Sequence, residues 1–167
     1  MVRPNDKLNS SSPEMAHAFR GRFEIKLDPK GRLSLPQAYR SLLDQRLVVT
    51  NSRYRGHSCL HVFTVQQWEK LERRIQKLSS LKPEVQAFSR FYLSGGQPVE
   101  IDGQGRVMIP QSLRRFADLD GHAVLVGLGD KIEIWSQRSW STVFEELSES
   151  FEDTLAAVAS LEEGDVQ

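Results

Sequence analysis

From Gly21 to Leu27 polar and apolar side chains alternate. Arg22, Glu24 and Lys26 fall on one side, and Phe23, Ile25 and Leu27 on the other. Period two marks a half-buried strand. Asp28-Pro29-Lys30-Gly31 follows, a turn with Asp first, Pro second and a glycine free to take the left-handed position. Arg32 to Leu35 resumes a strand, so the unit is a hairpin. Pro36 ends it and opens a short helix, Gln37 to Leu43. Leu47 to Thr50 and Leu60 to Phe63 read as strands, joined by a polar loop from Asn51 to His57. Thr64 sits where a helix N-cap belongs. Trp68, Leu71, Ile75 and Leu78 then recur at helical spacing. A second helix starts at Pro83, carries Val85, Phe88, Tyr92 and Leu93, and stops at Gly95-Gly96.

The same order then returns. DPKGRLSLPQAYR from Asp28 reappears as DGQGRVMIPQSLR from Asp102. Asp28/Asp102, Gly31/Gly105, Arg32/Arg106, Pro36/Pro110, Gln37/Gln111 and Arg40/Arg114 are identical pairs. Val99 to Ile101 and Arg106 to Ile109 are the strands of the second hairpin. A short helix runs from Pro110 to about Ala117. Ala123 to Val126 and Ile132 to Trp135 pair across Gly127 to Asp130. Trp140, Phe144, Leu147 and Phe151 line a closing helix. An internal repeat means two copies of one structural unit.

Composition limits the classes open to the chain. Its 167 residues are 39% hydrophobic and 26% charged, as in a soluble globular protein. No apolar run is long enough to span a membrane. The N-terminus lacks the basic-then-apolar pattern of a secretion signal, so secretion is not expected. Cys59 stands alone, so no disulfide framework exists and a reducing cytoplasm fits. Residues 1–17 are polar and rich in Ser, Asn and Pro, which predicts a disordered extension with Met15 as a candidate natural start.

The charge is unevenly spread. Lys plus Arg and Asp plus Glu each total 22. Residues 142–167 carry eight acids (Glu145, Glu146, Glu149, Glu152, Asp153, Glu162, Glu163 and Asp165) and no Lys or Arg. The body before them is therefore strongly basic, an asymmetry seen in nucleic-acid binders. Leu155, Val158 and Leu161 recur at near-helical spacing. The tail thus either screens the basic body or packs on a neighbouring subunit, with disorder expected from about Glu162.

The order strand, D-x-x-G-R turn, strand, proline, short helix, strand, strand resembles the AbrB-like (SpoVT-AbrB) swapped-hairpin fold. Two copies in one chain, with helices between and after, resemble the MraZ family, regulators encoded at the head of the division and cell-wall cluster. FRGRFEIKLDPKGRLSLP from Phe19, RFYLSGG from Arg90 and VLVGLGDKIEIWSQRSW from Val124 carry the resemblance, which covers roughly residues 19–147. It implies a mixed, mainly β architecture with two tandem swapped-hairpin units forming one small pseudo-twofold barrel with flanking helices. The expected divisions are 22–69 for the first unit, 70–97 for the intervening helices, 98–141 for the second unit and 142–167 for the acidic helix and tail. It also implies transcription regulation by binding short direct repeats upstream of the protein's own operon. The expected partners are double-stranded DNA and further copies in a homo-oligomeric ring, with no membrane, cofactor or small-molecule substrate. The expected location is the cytoplasm, at the nucleoid. The family's motif arginines map onto Arg32 and Arg106 and its adjacent basic position onto Lys30. Gln104 departs from that pattern and removes one charge.

The residue chemistry agrees with this reading. One arginine after a glycine turn can simply solubilise a hairpin. Two matched copies on a basic body point to DNA contact, because the guanidinium fork fits guanine and phosphate. Arg20, Arg22, Lys26 and Arg40 lie nearby in sequence and suit phosphate contacts, as Gln104 suits a turn-tip contact. Asp28 and Asp102, with Gly31 and Gly105, are expected to shape the turns. His57-x-Cys59-x-His61 could suggest a metal site. On a straight strand, however, the two histidines lie about 13 Å apart, and zinc holds its ligands at roughly 2 Å. Gly127-x-Gly129 reads as a hairpin turn, not a dinucleotide loop. Trp68, Trp140, Phe63 and Trp135 read as core and interface residues. No catalytic constellation stands out. An antitoxin-like module with this fold is the alternative, an enzyme the third.

Overall fold

The computed structural model describes residues 18–164. The expectations for residues 1–17, Met15 included, and for Asp165 lie outside the described residues. Strands β1 (Arg22–Lys26), β2 (Arg32–Ser34), β3 (Arg46–Tyr54) and β4 (His57–Thr64) form the first copy, with α1 (Gln37–Arg40) after β2. Helix α2 (Val65–Gln76), α3 (Pro83–Phe88) and a π-helical turn (Ser89–Leu93) connect it to the second. There β5 (Gln97–Glu100), β6 (Arg106–Met108), α4 (Gln111–Phe116), β7 (His122–Gly127) and β8 (Ile132–Ser136) repeat the order. Helices α5 (Gln137–Glu149) and α6 (Phe151–Gly164) close the described chain.

The two copies exchange strands. β1 pairs antiparallel with β7, and β5 with β3, so each copy's first strand completes the other copy's sheet. The register is symmetric: Ile25 faces Ala123, and Val99 faces Leu47. β4 and β8 meet in the middle, with His61 opposite Glu133. The sheet therefore runs β1-β7-β8-β4-β3-β5, while β2 and β6 form a separate ribbon centred on Leu33 opposite Val107. A pseudo-twofold axis passes through both central pairs.

The expected single barrel is not closed. The six-stranded sheet is open, with β1 and β5 at its edges. The ribbon touches it by lone bridges, Leu27 to Leu33 and Ile101 to Val107. The reason is length. With three residues each, β2 and β6 pair across the axis and have no room to ladder onto their own first strands. The interior is sealed by side chains instead. Leu33, Val107, Leu47, Leu60, Leu125 and Ile134 are among the buried residues of the main core.

The outer sheet face carries two smaller clusters. Val48, Phe63 and Trp68 pack with Leu71, Tyr92 and Leu93 under α2. Val124, Trp135 and Val143 pack with Trp140 and Leu147 under α5. Thr64 caps α2 by accepting from the Gln67 N–H at 3.1 Å, and Ser136 caps α5 from Ser139 at 3.1 Å. The tryptophans that recur in sequence thus hold equivalent places.

Three expectations need correction. The polar segment from Asn51 to His57 is not a loop but mostly strand, turned by Arg55 and Gly56 at φ of 50° and 80°. Two successive positive φ values suit the twist of a tight hairpin. At its start the segment is held by the later π-helical turn: Thr50 Oγ1 donates to the Tyr92 carbonyl and Asn51 Nδ2 to that of Phe91. Helix α1 ends at Arg40, short of Leu43. The tail, expected to lose order from about Glu162, stays helical through Gly164.

Because the exchanged strands share one core, a lesion at the axis destabilises both copies. Leu33 is 1% exposed. Leu33→Ala is expected to cost about 2–5 kcal/mol, the range for a leucine cavity. Urea denaturation followed by tryptophan fluorescence and by far-ultraviolet circular dichroism should give one coincident transition. Separate transitions for the two copies would contradict the shared core.

Candidate functional site

The two D-x-x-G-R turns are built alike, atom for atom. Asp28 Oδ1 accepts from the N–H groups of Lys30 and Arg32, both at 2.9 Å. Its Oδ2 accepts from Arg32 Nε at 2.7 Å. Asp102 Oδ1 accepts from the N–H groups of Gln104 and Arg106 at 2.9 Å, and its Oδ2 from Arg106 Nε at 2.9 Å. Each carboxylate therefore folds the turn with one oxygen and orients the guanidinium with the other. Only Nε is spent on this, and a guanidinium has five N–H donors. The terminal Nη groups remain available to a ligand.

This bonding depresses both acids. The Arg32 backbone N–H, working against partial desolvation and helped by the guanidinium, holds Asp28 below its ordinary value of 3.8. Asp102 is lowered chiefly by the Arg106 N–H.

Gly31 and Gly105 take φ of 82° and 73°. Their missing side chains matter a second time. A Cβ on Gly31 would run into the Arg114 guanidinium, and one on Gly105 into that of Arg40. Arg40, read from sequence as a neighbour of the first turn, thus lies against the second. Arg114 does the converse and donates from Nε to the Ile109 carbonyl at 2.9 Å. The turns are also tied backbone to backbone, with Leu35 N donating to Gly105 O and Ile109 N to Gly31 O, both at 3.0 Å.

The ribbon places Arg32 opposite Met108 and Ser34 opposite Arg106. These four share one face, and Leu33 and Val107 fill the other. The arginines are diagonal neighbours, roughly 7–8 Å apart between α-carbons. Lys30 and Gln104 occupy the matching turn tips. Lys26 ends β1 opposite His122. Arg22 is elsewhere, roughly 20 Å along the chain from the first turn. Its guanidinium lies 4.7 Å from the Phe144 ring centroid and 6.0 Å from that of Trp140. Arg20 follows Phe19, which bridges Gly129 at that same end. Six of the eight candidate contact residues therefore gather at or beside the ribbon, and Arg22 and Arg20 do not. Arg114 was legible as the repeat mate of Arg40, but its place against the first turn depends on strand exchange.

The doubling of this site is matched by a doubled family signature. The family model described as "MraZ protein, putative antitoxin-like" matches residues 18–91 and again 92–160. The chain belongs to the MraZ family. The MraZ match makes it a regulator-like or antitoxin-like module built of two tandem units. The chain is also similar to the solution structure of PHS018 from Pyrococcus horikoshii, at 13% identity and a TM-score of 0.32, over 70% of this chain and 87% of that one. Among the described residues no helix is long and apolar enough to cross a membrane.

A different cluster lies at the other end of the axis. Cys59, His61 and Glu133 bring ligand-type atoms within 4.8 Å of one another. His57 is not among them. Each donor is already engaged. His61 Nε2 lies 3.0 Å from Glu133 Oε2, and its Nδ1 lies 2.6 Å from the Tyr92 hydroxyl. Glu133 Oε1 accepts from Trp135 Nε1 at 3.0 Å. Burial pushes the Cys59 thiol up to about 12, which keeps it protonated near neutrality. His61, Glu133, Tyr92 and Trp135 form an internal hydrogen-bond network across the axis.

The pH dependence follows from the depressed acids. Their stabilisation is complete above the unfolded carboxylate value and is lost as pH falls through the lower folded value. Replacing both Asp28 and Asp102 by Asn should therefore lower the urea midpoint at neutral pH. The gap to the parent should shrink as pH falls below the ordinary carboxylate value and through the lowered folded-state values. A gap that is constant with pH would show that the carboxylate charge plays no part.

Proposed function

We propose that this MraZ-family protein is a sequence-specific DNA-binding transcriptional regulator, acting on short direct repeats upstream of its own operon. The units at 22–69 and 98–141 serve as SpoVT-AbrB-like halves, and the exchange of β1 and β5 is the swapped hairpin of that fold class. The observation that carries the reading is the pair of Asp-oriented arginines, Arg32 and Arg106, on one exposed face of a two-stranded ribbon. The B-DNA major groove admits such a ribbon. With α-carbons roughly 7–8 Å apart, the two arginines spring from the ribbon at a spacing that suits guanines about two base-pair steps from each other, at 3.4 Å per step.

Lys30, Gln104, Lys26 and Arg40 then flank the reading pair and contact phosphates, with Arg22 and Arg20 reached only by a longer stretch of DNA. One ribbon covers only a few base pairs. Assembly into a homo-oligomeric ring presents several ribbons to successive repeats, and linkage raises affinity by roughly 10²-fold or more. No reaction is required. The family's antitoxin-like description favours a second reading, in which the exposed α6 holds a toxin. That reading demands a toxin gene beside this one.

Mobility shifts on the DNA upstream of the gene, against a scrambled control, test the proposal. Arg32→Ala and Arg106→Ala should each weaken specific binding by about 1–3 kcal/mol per ribbon. Unchanged operator affinity in the double variant, with circular dichroism intact, would sink the idea.

Lys30→Gln gives the first turn tip the residue of the second, Gln104. It removes one phosphate-neutralising charge, so the salt slope should fall by about 0.9 while sequence preference stays as it is. A changed preferred sequence would make Lys30 a base reader.

A further inference from the structure

Helix α6 is built for a surface that the single chain does not offer it. All of its residues are exposed. Phe151, Leu155, Val158 and Leu161 form an apolar stripe, exposed by 57%, 57%, 47% and 70%. Glu152, Asp153, Glu162 and Glu163 accompany it, and the helix has no Lys or Arg. At 14 residues it spans about 21 Å. An isolated helix of that length is marginal in water and gains its stability by docking an apolar face.

A matching receptor lies in the first half of the chain. Between α2, the α3–π-turn segment and the outer face of β3 and β4 runs a groove of about 520 Å³. Phe88, Phe91 and Tyr92 supply apolar wall, and Arg53, Lys70 and Arg74 line it with positive charge. Phe91 is 44% exposed, and Leu78 and Leu81, beyond the end of α2, are 53% and 83% exposed. An acidic amphipathic helix and a basic aromatic groove are complementary in both hydrophobicity and charge.

We propose that α6 of one copy docks in the α2–α3 groove of a second copy. The inference rests on the self-assembly proposed above and names its contact. Stripe and groove are different surfaces of one chain, so the contact is heterologous. Repeated head to tail, it generates a ring when the rotation closes. The groove and the DNA-reading ribbon share no residue, so docking leaves the two half-buried arginines as accessible as in the single chain.

Cysteine cross-linking of the full chain tests this. The natural Cys59 is fully buried and does not report. Val158→Cys combined with Gln67→Cys, which lines the groove, should give a ladder of covalent multimers under mild oxidation. Neither single variant should do so. Dimers from Val158→Cys alone would mean that α6 pairs with itself. A cross-link within one chain would mean that α6 folds onto its own groove. Either result overturns the proposal.

Charge reversal gives an independent arm, read by light scattering. Glu152→Lys with Asp153→Lys should weaken assembly by about tenfold or more, and adding Lys70→Glu with Arg74→Glu should restore it. A wild-type chain that is monomeric defeats the assembly reading itself. A wild type that assembles, alongside acid-reversed variants that assemble equally well, defeats only this contact.

Discussion

Neither copy of the motif can complete its sheet with its own first strand. β1 finds its ladder on β7 and β5 on β3, and nearly every other feature follows from that exchange. It carries each D-x-x-G-R turn across the axis and sets the two short strands after them side by side. It places Arg40 beneath Gly105 and Arg114 beneath Gly31. A single copy would leave two strands unpaired, and unpaired backbone donors and acceptors in a core are costly. The doubling in the sequence is therefore a requirement of the fold, met here within one chain.

Symmetry is strict where the turns are built and relaxed elsewhere. Both turns use one carboxylate oxygen for the backbone and one for the arginine. At the opposite end of the axis, equivalent positions hold His61 and Glu133. Two identical side chains there would have to bond each other, whereas an acceptor facing an imidazole satisfies both. Tyr92 completes the histidine's bonding from the segment after α2. That segment folds back onto β3, and its counterpart α6 runs on into solvent. A chain folded from two like units thus differs most where it meets something outside itself.

Much of this is legible in the sequence, for identifiable reasons. Alternation locates β1, the repeat fixes the second turn from the first, and Thr64 announces the cap of α2. The spacing of Asp28 and Asp102 from their glycines suits the backbone bonds that both acids accept. The 51–57 segment misleads because it is the exposed tip of a long hairpin, where polar side chains face solvent on a paired strand, and Asn51 bonds a turn some forty positions later in the chain. An open sheet in place of a barrel cannot be read from periodicity, since closure depends on strand length and on which ladder wins. Arg22 looks like part of a basic footprint because sequence distance hides that a strand of five residues carries it away from the turn. Hydrophobic spacing in α6 is visible, but its acids suggest disorder, and the helix continues past Glu162.

The central claim is that the two turns, acting together on one ribbon, are the surface that meets DNA. Hydrogen–deuterium exchange of the full-length protein, with and without duplex from upstream of its gene, tests it most directly. The account predicts slowed exchange in peptides covering both 28–34 and 102–108, with the α2–α3 groove unchanged by DNA. Protection confined to the groove or to α5, with both turns exchanging as in the free protein, would contradict it.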